Sequence, residues 1–447
     1  MKLIIAGAGD MGVHLSKLLA GENFDCTLID DDNERLADVG ANCDVMTMVA
    51  SPTSLRALSD AGAAESDLYI AVTPDETTNI TSAAIAKALG ARKTVARIDN
   101  FEYIDPTLPD VFPKMGVDSM IYPEVFAARD IINGLKMSWV RQRWDVFDGE
   151  LVLLAIKMRT CSQILDTPLK DLCGPDDPYH IVAIKRGNET VIPGGWDTVE
   201  DGDLCYFMTT KEYIPYIRQI VGKEDYDDVR NVMVMGGDKA AVRVAHTIPE
   251  YMNLKIIERD EARCYRLNEL INKRNVMIIH GDGRDMSLLR DENIANTQAF
   301  VALTGNAETN ILACLAAKRR GVRKTVAQVE NVDYISMAES LDIGTIINKK
   351  IIAAGHIYQM LLANNVSNVK FFMTANADVA EFLVAENSKV TRKPVKDLGL
   401  PKGITIGGLL RDGHGLLVSG NTQIQPGDSV MVFSHDVNLR KIEKLFT

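Results

Sequence analysis

The segment Arg92-Lys93-Thr94-Val95-Ala96 returns letter for letter as Arg323-Lys324-Thr325-Val326-Ala327. No other feature of the chain restricts its fold as strongly, because a unit present twice must fold twice to the same plan. The same shift of 231 residues pairs Gly90 with Gly321, Asn100 with Asn331, Tyr103 with Tyr334, Thr73 with Thr304 and Thr78-Asn79 with Thr309-Asn310. Upstream the shift becomes 228, and Leu28-Ile29-Asp30 meets Ile256-Ile257-Glu258 while Gly9-Asp10 meets Gly237-Asp238. Near the ends of the halves it becomes 225, and Asp201-Gly202-Asp203 meets Pro426-Gly427-Asp428. Loop insertions produce drifts of this size. At roughly 150 residues per domain, a length of 447 allows about three domains. The repeat replaces that with two copies of a unit of roughly 220 residues.

Within one unit, an apolar strand at 2–6 runs into Gly7-Ala8-Gly9-Asp10-Met11-Gly12, a G-x-G-x-x-G turn. Val13, Leu15, Leu18 and Leu19 then recur at helical spacing. Cys26-Thr27-Leu28-Ile29 forms a second strand that ends in Asp30, 23 residues beyond Gly7. Further strands fall at 45–49, 68–72, 94–98 and 118–122, with helical segments at 55–61 and 77–89 between them. Alternating strand and helix implies a parallel sheet with right-handed crossovers, an α/β fold of Rossmann type.

Each residue of the turn then has a physical role. Gly7 permits the tight turn, Gly9 admits a pyrophosphate to the backbone, and Gly12 lets helix and strand pack closely. The N–H groups near Asp10 and Met11 face the phosphates. Asp30 accepts from the ribose hydroxyls, and the acidic run with Asp31 and Asp32 disfavours a 2′-phosphate, so NAD is preferred to NADP. The remaining strand ends supply Ala50, Ser51, Val72, Thr73 and Asp75, with Asn79 just inside the next helix. Arg97 is the cation for a phosphate.

A helix at 123–137 follows a Pro-rich stretch. Val125, Phe126, Ile131, Ile132, Leu135 and Met137 make it apolar enough to be either a core helix or one exchanged with a partner. From Trp144 the pattern changes to strands at 151–157, 180–186 and 204–207, separated by turns at Gly174-Pro175, Pro193-Gly194-Gly195 and Asp201-Gly202-Asp203. This is a small α+β domain without a His, Cys and carboxylate cluster at catalytic or metal spacing. His180 reads as a strand residue with a satisfied ring. The expected division is 1–138, 144–224, 229–363 and 367–447, a Rossmann domain and a small domain, twice.

In the second unit the turn reads Met235-Gly236-Gly237-Asp238-Lys239-Ala240. Aligned at the 228 shift, the first glycine has become Met235, with Gly236 as a partial substitute, and the third Ala240, while Glu258 keeps the ribose acid and Gln328 replaces Arg97. The second-site candidates are Gly236, Gly237, Asp238, Glu258, Asp282 and Thr304.

The net charge of −12 excludes a chain held mainly by nucleic-acid phosphates and a polybasic lipid anchor. No apolar stretch approaches the roughly 20 residues a spanning helix needs. The seven scattered cysteines form no C-x-x-C pair, which points to a reduced, cytoplasmic setting.

The order of these motifs carries a resemblance. A Rossmann half opens on Ile5-Ala6-Gly7-Ala8-Gly9-Asp10-Met11-Gly12. A small domain follows with Asp166-Thr167-Pro168-Leu169-Lys170-Asp171-Leu172 and Asp201-Gly202-Asp203. Both recur, the second time with Lys393-Pro394-Val395-Lys396-Asp397-Leu398 and Pro426-Gly427-Asp428. In this the chain resembles, over nearly its whole length, the TrkA family of cytoplasmic regulatory subunits of bacterial Trk potassium uptake systems, built from tandem RCK modules.

The resemblance implies a non-enzymatic regulator that binds NAD(H) and ATP or ADP in its Rossmann clefts. It also implies assembly, typically as a tetramer, into a ring beneath a Trk-type membrane channel subunit. The chain would then be peripheral to the inner face of the membrane, without inserting into lipid. The family pattern places Gly7, Gly9, Asp10, Met11, Asp30, Thr73 and Arg97 in the first site. Two alternatives stay open: a dehydrogenase with an unusual second domain, and an RCK regulator of another channel or exchanger.

Overall fold

A computed structural model of the chain describes all residues except 21–23, 173–177, 188, 362–365, 373–376, 436–438 and 447. The turn expected at Gly174-Pro175 lies outside the described residues. The first sheet contains β1 (Lys2–Ala6), β2 (Asp25–Asp30), β3 (Met46–Val49), β4 (Leu68–Ala71), β5 (Lys93–Arg97) and β6 (Ser119–Ile121), all parallel in the order β3-β2-β1-β4-β5-β6. Its crossovers include α1 (Asp10–Ala20), α2 (Asn33–Asn42), α3 (Leu55–Asp60) and α4 (Glu76–Leu89), and α5 (Pro123–Leu135) follows β6. Leu3, Ile4 and Ile5 of β1 are fully buried, as expected of a central strand covered on both faces. Asp32, Ser54 and Asp75 cap the following helices by accepting backbone N–H groups.

A five-stranded antiparallel sheet comes next: β7 (Gln142–Val146), β8 (Leu151–Lys157), β9 (Tyr179–Arg186), β10 (Glu189–Val191) and β11 (Leu204–Thr209), in the order β10-β9-β11-β8-β7. The helices α6 (Leu169–Leu172) and α7 (Ile214–Ile220) accompany it. Short β7 and β10 lack the apolar runs of their neighbours, and the sequence does not single them out.

The plan then repeats. Strands β12 (Asn231–Met235), β13 (Asn253–Glu258), β14 (Val276–His280), β15 (Ala299–Ala302), β16 (Lys324–Gln328) and β17 (Thr345–Ile347) form the order β14-β13-β12-β15-β16-β17. Their helices are α8 (Lys239–Thr247), α9 (Glu261–Leu270), α10 (Met286–Asp291), α11 (Ala307–Arg319), α12 (Asp333–Ser340) and α13 (Lys349–Gln359). The last sheet holds β18 (Val366–Phe372), β19 (Ala377–Leu383), β20 (Ile404–Arg411), β21 (His414–Leu417) and β22 (Ser429–His435), ordered β18-β19-β22-β20-β21, with α14 (Leu439–Phe446) at its end.

The Asp-Gly-Asp signature has a packing explanation. Arg186 donates to both carboxylate oxygens of buried Asp203 at 3.0 and 2.8 Å, and Arg411 does the same to Asp428 at 2.9 and 2.7 Å. The same carboxylates accept the Glu200 and Gln425 N–H groups at 2.8 Å, which locks the turn before each strand.

Two compact units result. One holds Met1–Pro123 with Lys350–Asn364, and the other holds Glu124–Lys349 with Asn365–Val437. The helix that follows each Rossmann sheet therefore belongs to the opposite half. α5, with Ala127, Ala128, Ile131 and Leu135 fully buried, is a core helix and an exchanged one at once. The exchange runs between the halves of a single chain. Within the second unit, Val182 and Tyr206 of the first small sheet pack against Val379 and Phe433 of the second. A Cβ at Gly407 would lie 2.8 Å from both Val182 and Phe433, so glycine is required for that approach.

Candidate functional site

In the first cleft the turn after β1 has the shape a phosphate loop needs. Gly7 has φ +110°, and a Cβ there would sit 2.8 Å from the Thr73 nitrogen. A Cβ at Gly12 would come within 1.8 Å of the Gly7 carbonyl oxygen, so helix and turn touch as closely as backbone allows. Gly9 faces open space: a Cβ added there would meet nothing within 4 Å. Val13 donates to the Gly9 carbonyl at 2.9 Å, and the N–H groups before it precede the intrahelical ladder. Met11 is buried, while Asp10 is exposed at the helix start.

Asp30 is buried at the end of β2. One carboxylate oxygen accepts the Ala8 N–H and the other accepts the Asp32 N–H at 2.9 Å. It thus ties the glycine turn to the loop beyond β2. Asp31 beside it is exposed. Ala50 donates to the Asp30 carbonyl at 2.9 Å, and the Ser51 and Thr53 hydroxyls lie 3.0 Å apart. Val72 is buried and donates to the Ala6 carbonyl at 2.8 Å. Asp75 caps α4 by accepting the Thr78 N–H at 2.7 Å, and the Thr78 hydroxyl together with that N–H holds its carboxyl below the usual range.

Asn79 is fully committed within the protein. Its oxygen accepts the Thr73 N–H at 2.8 Å and the Thr73 hydroxyl at 2.7 Å, and its nitrogen donates to the Thr73 and Arg97 carbonyls, each at 2.9 Å. It braces the ends of β4 and β5. Arg97 reaches Asp99 at 3.2 Å, yet its buried Nε has no hydrogen-bond partner among the described residues. An orphaned guanidinium donor near an open glycine cradle fits an anionic ligand.

The second cleft is a cavity of about 370 Å³ that gathers Gly236, Gly237, Asp238, Glu258, Asp282 and Thr304, every second-site candidate. It corrects the alignment of the turn. Gly236 has φ +99° and donates to the Ile257 carbonyl at 2.9 Å, as Gly7 with φ +110° donates to Ile29 at 2.8 Å. Gly237 donates to Glu258 at 2.8 Å, as Ala8 does to Asp30. The first glycine is therefore kept as Gly236, while Asp238 stands in place of Gly9 and Ala241 in place of Gly12. The misalignment arises because the segment from turn to ribose acid is one residue shorter in the second half. That loop sets the shift of Glu258, but the strand before the turn keeps its own.

Asp238 accepts the Ala241 N–H at 2.9 Å and lies 3.6 Å from Lys349, which is also 3.3 Å from Glu124. Burial raises the Asp238 carboxyl above its ordinary range, and Lys349 opposes the shift. Asp282 is gripped by Arg284 and pulled down to about 2. Gln328 is buried where Arg97 stands in the first half, with its Oε1 unpartnered among the described residues.

Sequence reasoning misses Lys350. It reaches from α13 to pair with Asp10 at the start of α1. No local signal marks it, because its place depends on the exchanged helix. His180 also departs from expectation. It lies on β9, but burial holds its pKa down and its Nδ1 has no partner among the described residues.

Two sheets in the order 3-2-1-4-5-6, each with a glycine turn tied to a carboxylate at the second strand's end, define a tandem Rossmann-type protein. The TrkA-N domain pattern matches residues 3–123 and again 232–349, and the TrkA-C domain pattern matches 379–447. The chain belongs to the TrkA-N domain family. It is 26% identical to the Trk system potassium uptake protein TrkA of Azorhizobium caulinodans, over all of this chain and 98% of that one. It is 28% identical to the protein of that name from Haemophilus influenzae, with the same coverage, and 27% identical to the Archaeoglobus fulgidus homolog over the whole of both chains. Among solved structures, the GsuK RCK domain aligns with all of this chain and 94% of its own, at a TM-score of 0.58 and 13% identity. The GsuK channel bound to NAD aligns with all of this chain and 78% of its own, at 0.59 and 13%. At these identities the likeness is one of fold.

Proposed function

We propose that this chain is a nucleotide-sensing regulatory subunit that gates a Trk-type potassium channel. The modules divide at 1–138, 144–224, 229–363 and 367–447, and the chain works as a homo-oligomeric ring, a tetramer, at the inner face of the membrane. The full-length relatives named for Trk potassium uptake support the system, and the NAD-bound GsuK channel supports the ligand class. The single observation that carries the reading is the first cleft, where an open Gly9 cradle and an orphaned Arg97 Nε flank a turn tied to Asp30.

NAD(H), or ATP or ADP in the same cleft, supplies ribose hydroxyls and phosphate charge. Asp30 accepts from the hydroxyls, the α1 N–H groups and Arg97 hold the phosphates, and Thr73 and Val72 line the strand end. Phosphate charge beside Asp10 competes with that carboxylate for Lys350, and Lys350 sits on α13. Nucleotide occupancy thus acts on a helix contributed by the other repeat. A ligand shifts the ring only by its differential affinity for two states, about 1–3 kcal/mol per site.

The test is potassium flux through a Trk-type membrane subunit reconstituted with the purified chain, with and without saturating NADH or ATP. Flux is expected to change with nucleotide, and Asp30→Asn is expected to lower calorimetric affinity by about tenfold or more. Equal flux in every condition would overturn the gating role.

A further inference from the structure

We infer that the second cleft takes an adenine nucleotide phosphorylated on its ribose 2′-hydroxyl, a ligand of different charge pattern from that of the first cleft. This rests on the reading of both clefts as nucleotide sites.

In a Rossmann cleft the pyrophosphate lies over the glycine turn and helix start, and the adenosine ribose lies against the acid that ends the second strand. The second cleft differs from the first at both ends. At the helix end, Asp238 replaces Gly9, and its carboxylate already accepts the Ala241 N–H at 2.9 Å. One helix-start N–H, that of Ala241, is thereby taken, and the carboxylate beside it is 3.6 Å from Lys349. In the first cleft the same place is the open face of Gly9.

At the ribose end the second half gains positive charge. Asp31 follows the ribose acid in the first half, whereas Arg259 follows it in the second and lines the cavity. Thr53 gives way to Arg284, which also lines the cavity while forked onto Asp282 at 3.0 and 2.6 Å. Arg263 lines it too, 3.8 Å from Glu258. Glu258 accepts the Gly237 and Asp260 N–H groups, each at 2.8 Å, just as Asp30 accepts those of Ala8 and Asp32, so the difference between the clefts lies in the arginines around it. Arginine presents a planar fork that matches phosphate oxygens. An arginine beside the ribose acid is the means by which a Rossmann cleft accommodates a 2′-phosphate.

The experiment is calorimetry on the full chain with adenosine 2′,5′-bisphosphate, its 3′,5′ isomer, adenosine 5′-monophosphate and NAD. The 2′,5′-bisphosphate is expected to bind on the order of tenfold more tightly than the monophosphate. That preference should vanish in the Arg259→Gln/Arg263→Gln double variant, whose side chains are exposed, and persist in Asp30→Asn. Saturating NAD should leave it intact in the wild-type chain, an arm that needs no variant. Equal affinity for the bisphosphate and monophosphate would overturn the inference, as would a preference that survives the double variant or disappears under NAD. Equally tight binding of the 3′,5′ isomer would overturn the 2′ assignment. Absent NAD binding with an intact bisphosphate preference would instead remove the first-cleft reading and leave this one standing.

Discussion

Asn79 shows how far a single residue can be read from sequence. Its recurrence as Asn310 marks it as essential to the unit, but recurrence does not separate a ligand from a brace. The hydrogen bonds do. Asn310 repeats the whole set, accepting from the Thr304 N–H and hydroxyl at 3.1 and 2.6 Å and donating to the Thr304 and Gln328 carbonyls at 2.8 Å each. An amide has two donors and two acceptor lone pairs, and all are used. Asn79→Ala orphans a buried N–H and two carbonyls, so a loss of about 2–4 kcal/mol is expected in urea unfolding. A loss below about 0.5 kcal/mol would refute the brace. Asp30 is legible because acid, turn and spacing are contiguous in sequence. Its hold on Ala8 is not, since that bond needs the turn's geometry.

At the level of elements, the periodic apolar runs mark the parallel strands of the first unit to within a residue or two, and their helices too except α2, whose apolar face is only Leu36 and Val39. Elements without such runs, β7, β10 and α7, need tertiary partners to appear. Alignment through the ribose acid puts the second glycine turn one residue out of register, because a short loop deletion moves Glu258 relative to Gly236. The junction around β7 is also illegible in sequence. Asp342, at the end of α12, is met by Arg141, by Arg159 at 2.5 Å and by Lys318 at 2.9 Å. Burial alone would raise its carboxyl, but these cations outweigh that and bring it to about 2. A folded pKa below the unfolded value near 3.8 means that this stabilisation is present above about pH 4 and lost as pH falls towards 2. Asp342→Asn should therefore destabilise by about 1–2 kcal/mol at pH 7, because it leaves half-buried cations without their carboxylate. Thermal melts from pH 7 to pH 2 check this. The difference from wild type should shrink across the acid end, and a pH-independent difference would contradict it. Lys324 next to this junction donates to the Val140 and Arg141 carbonyls at 2.7 and 3.0 Å, whereas its repeat counterpart Lys93 is exposed. Identical letters in a repeat thus serve different ends.

For the whole molecule, the repeat is plain in the sequence and carries the fold class and both clefts. The exchange of α5 and α13 is readable only as one of two alternatives, since an apolar helix carries no mark of which core it joins. The exchange has a measurable consequence. If Lys350 carries occupancy of the first cleft to α13, NAD should slow amide hydrogen exchange in both the α1 turn and α13. In Lys350→Ala the protection should remain at α1 and fall at α13. Equal protection of α13 in both proteins would remove Lys350 from the coupling. The exchange also bears on concentration. Separate subunits that trade helices do so by a bimolecular step and come apart on dilution. Here the two donors are joined by peptide, so each helix meets its acceptor at an effective concentration of order millimolar, whatever the abundance of the protein. The pairing of halves is then fixed at translation. Each half always meets the same partner, so one cleft could lose Gly9's counterpart to Asp238 while the other kept it.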